Sequence, residues 1–591
     1  MKQFFKFTFA SCLGVFLAMI VLFFFGVFSL AGLAMGEDAD LKEVKKNSVL
    51  ELKLDGNLPE LTDNVEKSPF ENNKVIGLRD LLLSIERAAN DDKIKGIVIY
   101  PPSTSAGFST LSVIRNALLS FKKSGKFIYA YGDSFSQSAY FLASVADTIM
   151  LNSNGEIDFR GFAAELPFMK GLFDKLDIKW QIYYAGQYKS ATEPFRLDKM
   201  SDQNRMQLRE YITGLYDYML AEISHSRNIP VSELFAIAND YKIRNATDAV
   251  TLKMVDSKGY YDEMLDMIRR KLDLKEKAKI SAVSISDYAK SYNKPTGSSK
   301  DKIAIVYAEG DIGDNAEQEV DGTIQGSRYA KIIRKLRQDE HVKAIVLRVN
   351  SGGGSAFASD VIWRELDLAR HQGIAIISSF GDYAASGGYY IAMASDSIFA
   401  QPNTLTGSIG VFGMIPNMEN TFKNKLGVTF DTVKTGKFSA MSGVTMAFSE
   451  DEGKIIQQSI DSTYEKFLSR VAQCRRMTRD QVHAVAQGRI WLAGKGKEIG
   501  LVDQIGGLED AIAAAASKAK LSNYKTVEYP KFKNGIQKFI ENLTGEKPTD
   551  DLAKMAFKQE LGEFYPYYEH FKKMKSVKGP QMRIPFVINV R

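Results

Sequence analysis

Histidine and cysteine are scarce in this chain of 591 residues, which has five of the first and two of the second. Cys12 and Cys474 cannot build a disulfide framework, and Cys12 lies in an apolar N-terminal run, away from any plausible pairing with Cys474. Such poverty fits either a reducing cytosol or an envelope protein that dispenses with disulfides. His225, His341, His371, His483 and His570 all stand outside glycine turns, and no His/Cys cluster has ligand spacing, so the sequence calls for no metal and no cofactor. A Ser-His-Asp triad has correspondingly little to stand on. The Gly-x-x-x-x-Gly-Lys-Ser/Thr pattern is absent, which argues against a phosphate cradle. Charge of one sign is also lacking: 77 basic against 71 acidic residues leave +6, with lysines dispersed among acids, so no nucleic-acid footprint is expected.

What is present begins at the N-terminus. From Phe7 to Met35 there is no charged residue, a run long enough to span a bilayer, which needs roughly 20 residues as helix. Lys2 and Lys6 precede it, and Glu37, Asp38 and Asp40 follow. The positive-inside bias puts the N-terminus in the cytoplasm and the bulk of the chain outside. A cleaved signal peptide is the rival reading, with Ala34-Met35-Gly36 as small residues at a cut, but the run is about twice the usual signal core. An uncleaved anchor over residues 1–36 is the expectation. Beyond residue 40 no second run is apolar enough to span.

The remaining length is too great for one core, and it repeats. Val49-Leu50-Glu51-Leu52-Lys53-Leu54-Asp55-Gly56 resembles Ile303-Ala304-Ile305-Val306-Tyr307-Ala308-Glu309-Gly310, and Asp91 through Ile99 resembles Asp339 through Leu347. From Gly132-Asp133 against Gly381-Asp382 the register runs without a gap through Tyr140/Tyr389 to Asp147/Asp396, and Ala246–Asp256 later matches Ala493–Asp503. The matches recur about 250 residues apart. In each copy β-branched runs (Gly96–Tyr100, Phe127–Tyr131; Ala344–Val349, Gly373–Phe380) alternate with helical patterns (Arg79–Ala89, Ser109–Lys122; Tyr329–Arg337, Ser359–Ala369). That alternation predicts an α/β layout with a largely parallel sheet. The expected domains are a first repeat over 37–276, a polar linker over 277–301, a second repeat over 302–523 and a tail over 524–591 with a helical stretch near Ala553–Gly562.

Chemistry concentrates in the second copy. A β-rich run leads into Gly381-Asp-Tyr-Ala-Ala-Ser386-Gly-Gly-Tyr-Tyr390, so a strand, a turn and a helix start would present the Ser386 hydroxyl where backbone N–H groups favour negative charge. The register sets Gln137 opposite Ser386, and a glutamine cannot attack a carbonyl. Likewise Ser351-Gly352-Gly353-Gly354 faces Ser103-Thr104-Ser105-Ala106. A glycine loop of this kind suits an oxyanion hole, with the Gly387 amide as a second donor. The nucleophile still needs a base. A lysine would serve if its pKa fell from about 10.4 toward 7–8, but no lysine identifies itself by composition. The repeat narrows the field: Gly186-Gln187-Tyr188-Lys189-Ser190-Ala191 resembles Gly436-Lys437-Phe438-Ser439-Ala440, one residue shorter, at Lys189. Base and nucleophile can therefore be split between the copies.

Taken together, Gly186–Phe195, Asn350–Ser355, Gly381–Tyr390, Asn403–Gly413 and the run from Gly488-Arg-Ile-Trp to Gly507 resemble the long, duplicated form of the signal peptide peptidase A (protease IV) family. The likeness covers the chain from the anchor to about residue 520. It implies two tandem domains of the Clp protease/crotonase-like fold after a transmembrane helix, and a serine peptidase in which Ser386 is nucleophile and Lys189 general base. It further implies that Ser408 orients the lysine and that Gly354 and Gly387 supply the oxyanion amides. Gly352 departs from the family, which usually has proline there. The implied substrates are remnant signal peptides, and the implied setting is the bacterial inner membrane, as a homotetramer with its bulk periplasmic. A crotonase-like acyl-CoA enzyme and an inactive membrane scaffold are the alternatives.

Overall fold

The computed structural model describes residues 6–9, 11, 13–22, 44–62, 75–101, 103–104, 106–292, 299–314, 322–531 and 579–584. Much of the expected anchor (residues 1–5 and 23–36) and the helical stretch at 553–562 lie outside them. Residues 6–9, 11 and 13–22 are helical, but among the described residues no helix is long and apolar enough to cross a membrane.

Both copies fold as largely parallel sheets flanked by helices, the second with one antiparallel edge pair, Leu405–Gly407 and Ile490–Leu492. The first sheet runs in the order Ser257–Lys258, Thr148–Ile157, Phe127–Phe135, Ile94–Ile99, Ser48–Leu52, Ser281–Ser284, every pair parallel. The second repeats that path with Gln504–Ile505, Ser397–Ala400, Ala375–Ala385, Val342–Ser351, Lys302–Glu309 and Lys525–Tyr529. Its central strands are buried on both faces, which is why they read as continuous Val/Ile/Ala runs and not as alternation.

The duplication reaches individual hydrogen bonds. Asp256 accepts from the Ile149 amide and Asp503 from the Ile398 amide, each at 2.7 Å. The buried Tyr140 hydroxyl donates to the Met254 carbonyl at 2.7 Å and Tyr389 to that of Leu501 at 3.0 Å. The long helices Asp202–Arg227 and Glu450–Arg475 both have 26 residues and end on a left-handed residue, Asn228 or Arg476.

Two expected boundaries move. The stretch 277–301 holds the edge strand Ser281–Ser284 and the helix Ile285–Lys290, which complete the first repeat. Lys525–Tyr529, placed in the tail by sequence, is the matching edge strand of the second repeat, beside Lys302–Glu309.

A third sheet joins the halves. Lys179–Ala185 of the first repeat pairs antiparallel with Val411–Asn417 of the second, from Val411↔Ala185 to Asn417↔Lys179. Side chains tie the same seam. The helix Phe108–Lys122 begins at Gly107, which has no capping side chain of its own. Asp382 of the second repeat caps it instead, accepting from the amides of Gly107 at 3.1 Å and Thr110 at 2.8 Å. A carboxylate there satisfies N–H groups that would otherwise lack partners. Glu60 forms a buried ion pair with Arg348 at 2.9 Å.

Candidate active site

The turn at Ser386 folds as the strand-turn-helix pattern requires. Ala375–Ala385 ends at Ser386, and the helix Gly387–Ala392 begins at the next residue. Ser386 caps that helix with φ +55° and ψ −115°, a backbone conformation that residues other than glycine rarely adopt. Two backbone bonds hold it there: the Ser386 amide donates to the Gly407 carbonyl, and the Tyr390 amide donates to the Ser386 carbonyl, both at 2.8 Å. The side chain is fully buried.

Lys189 arrives from the other repeat. The strand Lys179–Ala185 delivers the chain to Gly186, whose φ of +110° turns it into the seam; a Cβ there would lie 2.5 Å from the Gln487 backbone. The Tyr188 amide donates to the Gln487 carbonyl at 2.9 Å. Gln207, on the helix Asp202–Arg227, clamps both sides: its Nε2 donates to the Tyr188 carbonyl at 3.1 Å and the Ile490 amide donates to its Oε1 at 3.2 Å. The stem of Lys189 lies on two glycines of the second repeat. A Cβ on Gly488 would come within 2.7 Å of Lys189 Cβ, and one on Gly410 within 3.1 Å of Cδ.

At the end of that stem, Nζ lies 2.8 Å from Ser386 Oγ, 3.0 Å from Ser408 Oγ and 3.3 Å from the Ser408 carbonyl oxygen. Lys189 is 1% exposed. Burial alone holds its pKa well below the ordinary lysine range, because the charged form loses its water. The amine is thus biased toward its neutral form. Ser408 sits at φ +51° with its amide donating to the Arg489 carbonyl at 2.7 Å, so the hydroxyl is held on a fixed turn.

Gly354 and Gly387 meet beside the serine: a Cβ on Gly387 would lie 3.1 Å from the Gly354 amide nitrogen. A side chain on Gly353, at φ +99°, would come within 2.6 Å of the Gly387 nitrogen. A Cβ on Gly353 or Gly387 would therefore crowd one of these two backbone nitrogens, whereas one on Gly354 would meet the Ile312 backbone. Gly352 lies against Ile584, whose Cγ1 would be 2.7 Å from an added Cβ, so the departure from proline falls at a crowded point.

The residues singled out by the repeat separate cleanly. The second repeat has no residue opposite Lys189; Lys437, opposite Gln187, lies on the surface in an ion pair with Asp451. Gln137, the counterpart of Ser386, fills its own pocket: Nε2 donates to the Gly161 carbonyl at 2.8 Å, and the Gly161 amide donates to Oε1 at 2.9 Å. Of the histidines, His483 bonds the Tyr464 hydroxyl and His371 the Asp367 carbonyl, both away from the serine. Sequence reasoning missed Gln207 and Asp382. Asp382 left a signal, since Gly-Asp recurs at 132–133 and 381–382; Gln207 left none.

The model of "Peptidase family S49" matches the chain twice, over residues 120–275 and 369–522. "Protease 4" of Salmonella typhi is 36% identical over 481 residues, covering 79% of this chain and 76% of that one. "Serine protease SPPA, chloroplastic" of Arabidopsis thaliana is 30% identical over 493 residues, covering 82% and 71%. "Putative signal peptide peptidase SppA" of Enterococcus faecium is 37% identical over 253 residues, 42% of this chain and 72% of that one.

Proposed function

The chain belongs to peptidase family S49 and is a serine peptidase, and on that premise we propose that it works through a Ser386/Lys189 dyad shared between its halves. The observation that carries this reading is the 2.8 Å approach of Lys189 Nζ to Ser386 Oγ in a site where burial favours the neutral amine.

A neutral lysine has two N–H bonds and one lone pair. The two N–H bonds suit Ser408 Oγ and the Ser408 carbonyl, which leaves the lone pair for the Ser386 hydroxyl proton. As Lys189 takes that proton, Oγ attacks the peptide carbonyl, and the amides of Gly354 and Gly387 receive the developing oxyanion. Lys189 then passes the proton to the departing amine. Water enters, gives a proton to Lys189 and hydrolyses the ester. Ser408 acts as a positioning residue, holding the amine with its lone pair toward Ser386.

The substrates in this reading are remnant signal peptides and other membrane-associated peptides. The uncharged run from Phe7 to Met35 would hold the enzyme to the bacterial inner membrane with its bulk outside the cytoplasm, assembled as a homotetramer. The resemblance to a relative named as a signal peptide peptidase supports the substrate class. An acyl-CoA enzyme of similar fold would leave Lys189 without a task.

The test is a fluorophosphonate probe with adduct mapping. The adduct is expected on Ser386 in the wild type and absent in Lys189→Ala, with cleavage of a defined signal peptide lost in Ser386→Ala and Lys189→Ala. Undiminished cleavage by Lys189→Ala would sink the dyad. Protease treatment of intact spheroplasts checks the topology, since a protected bulk contradicts the charge argument.

A further inference from the structure

The sequence pattern singles out Gly186–Phe195, yet the dyad uses only Lys189 of it. One turn further on, Glu193 is 2% exposed, and among the described residues every group bonded to it is neutral. Its Oε1 accepts from the Ser201 hydroxyl at 2.5 Å, and its Oε2 from the Ser201 amide at 3.2 Å and from Asn204 Nδ2 at 2.9 Å. Asn204 and Gln207, next along the helix Asp202–Arg227, are buried as well.

These contacts admit one orientation of both amides. A carboxylate oxygen only accepts, so the Asn204 atom facing Glu193 is its nitrogen, and Oδ1 is left to accept from Gln207 Nε2 at 3.2 Å. At the far end the Ile490 N–H only donates, which turns Gln207 Oε1 toward it. Flipping either amide would set donor on donor or acceptor on acceptor at both of its ends. Gln207 Nε2 is thereby aimed at both sides of the lysine, the Tyr188 carbonyl at 3.1 Å and Ser190 Oγ at 2.9 Å. Ile490 in turn pairs with Gly407, whose carbonyl receives the Ser386 amide, and follows Arg489, whose carbonyl receives the Ser408 amide. One side chain therefore bonds the backbone that holds Lys189 and the backbone that holds Ser386 and Ser408. The second repeat, which buries no lysine at this place, lacks the arrangement. Its matching helix is capped by Ser449 as the first is by Ser201, so Glu452 stands opposite Asn204 and Ile455 opposite Gln207. Glu452 turns back onto its own cap, accepting from the Ser449 amide at 2.8 Å, and Ile455 is exposed.

We propose that Glu193, Asn204 and Gln207 form a positioning relay for peptide cleavage, in which the buried carboxylate orients two amides and the second amide sets Lys189 against Ser386 and Ser408. The inference rests on the Ser386/Lys189 reading. None of the three side chains bonds to Lys189 Nζ or Ser386 Oγ, so their work is geometric. Nζ has to stay within reach of the hydroxyl with its lone pair toward the proton, and a misplacement of about 1 Å costs about a hundredfold in rate. Loosening the segment around Lys189 also admits water to the amine. Because burial alone depresses the Lys189 pKa, that water moves it back up toward the ordinary lysine range.

The experiment is steady-state hydrolysis of a defined signal peptide by the full-length protein across neutral and alkaline pH, with folding followed by urea titration. Gln207→Met, close in length but without the amide, should lower kcat about ten- to a hundredfold, leave KM within about twofold and move the acid limb of kcat/KM upward. Gln207→Glu keeps an acceptor for the Ile490 amide and sets a second one against the Tyr188 carbonyl; it should lose kcat likewise, and it decides the matter where Gln207→Met does not fold. Glu193→Gln is the conservative rescue. Its Oε1 can take the Ser201 and Asn204 donors while its Nε2 donates to Ser201 Oγ, so kcat should stay within about twofold of wild type, whereas Glu193→Leu should fall as Gln207→Met does. Folded Gln207 variants with wild-type kcat and acid limb, beside inactive Lys189→Ala and Ser386→Ala, overturn the relay and leave the dyad standing. Cleavage retained by Lys189→Ala overturns the dyad and the relay with it. A loss that follows the folded fraction, with the acid limb unmoved, makes the three residues structural and overturns the proposal, as does a Glu193→Gln enzyme no better than Glu193→Leu.

Discussion

Replacing Lys189 with methionine tests the central electrostatic claim without relying on catalysis. The side chain keeps nearly the same length and loses only the amine. In the folded protein Lys189 is buried and its pKa is depressed by desolvation; in the unfolded chain it titrates near 10.4. Between those two values the unfolded state carries one proton more than the folded state. Wild-type stability therefore rises with pH across that window, by about 1.4 kcal/mol per unit, and Lys189→Met lacks this slope. The variant should gain on the wild type by that amount for each unit the pH falls below lysine's ordinary range, and the gain should flatten at the folded-state pKa. Loss of the contacts to Ser386 and Ser408 subtracts about 1 kcal/mol per hydrogen bond, an offset that does not vary across the window. Urea titrations at half-unit pH steps give the curve. The acid limb of kcat/KM for the wild type must share its midpoint with the point of flattening, because both report the same amine in the free enzyme. A stability difference that is level between pH 7 and 10 would refute the argument, since it would mean that Lys189 ionises in the folded protein as a surface lysine does.

Three further substitutions separate chemistry from scaffold. Ser408→Ala removes one of the contacts that orient the amine, and should lower kcat about tenfold with little change in KM, read by steady-state peptide hydrolysis. Gly354→Ala sets a Cβ about where the Ile312 carbonyl stands, so it should cost about 10²–10³ in kcat, with a lowered Tm reporting the displaced strand. Gln137→Ala should leave turnover unchanged while lowering stability by about 1–2 kcal/mol, since it strips the Gly161 amide and carbonyl of their partner.

The two repeats were legible because a parallel sheet buried on both faces writes itself as apolar runs, and because two copies can be read against each other. The pairing of Gln137 with Ser386 and the gap opposite Lys189 needed only that register. The edge strands were not legible. Ser281–Ser284 and Lys525–Tyr529 are short, flanked by polar residues, and defined by a parallel partner more than 200 residues earlier. Local composition therefore assigned them to a linker and a tail. Gln581–Arg583 is harder still, at three residues paired with a loop across the sheet. Gly410 and Gly488 were visible as parts of motifs, but their use, as the surface on which the stem of Lys189 rests, exists only once the two halves are docked.

The asymmetry between the copies follows from what an active site costs the fold. Ser386 is held at a positive φ, a strain of about 1–3 kcal/mol, and Lys189 is held without water around its amine. The first repeat has shed the strain: its counterpart turn is capped by Ser136 at φ −67°, and Gln137 fills the space with satisfied bonds. The second repeat lacks the buried amine, since its matching segment is one residue shorter at the position of Lys189. Each remaining burden is then held by the opposite half. The stem of Lys189 lies on glycines of the second repeat, and the strand that carries Ser386 is anchored through Asp382 to a helix of the first. Neither repeat alone brings Lys189 and Ser386 together, so on the proposed dyad the seam between them has to form before any peptide can be cut.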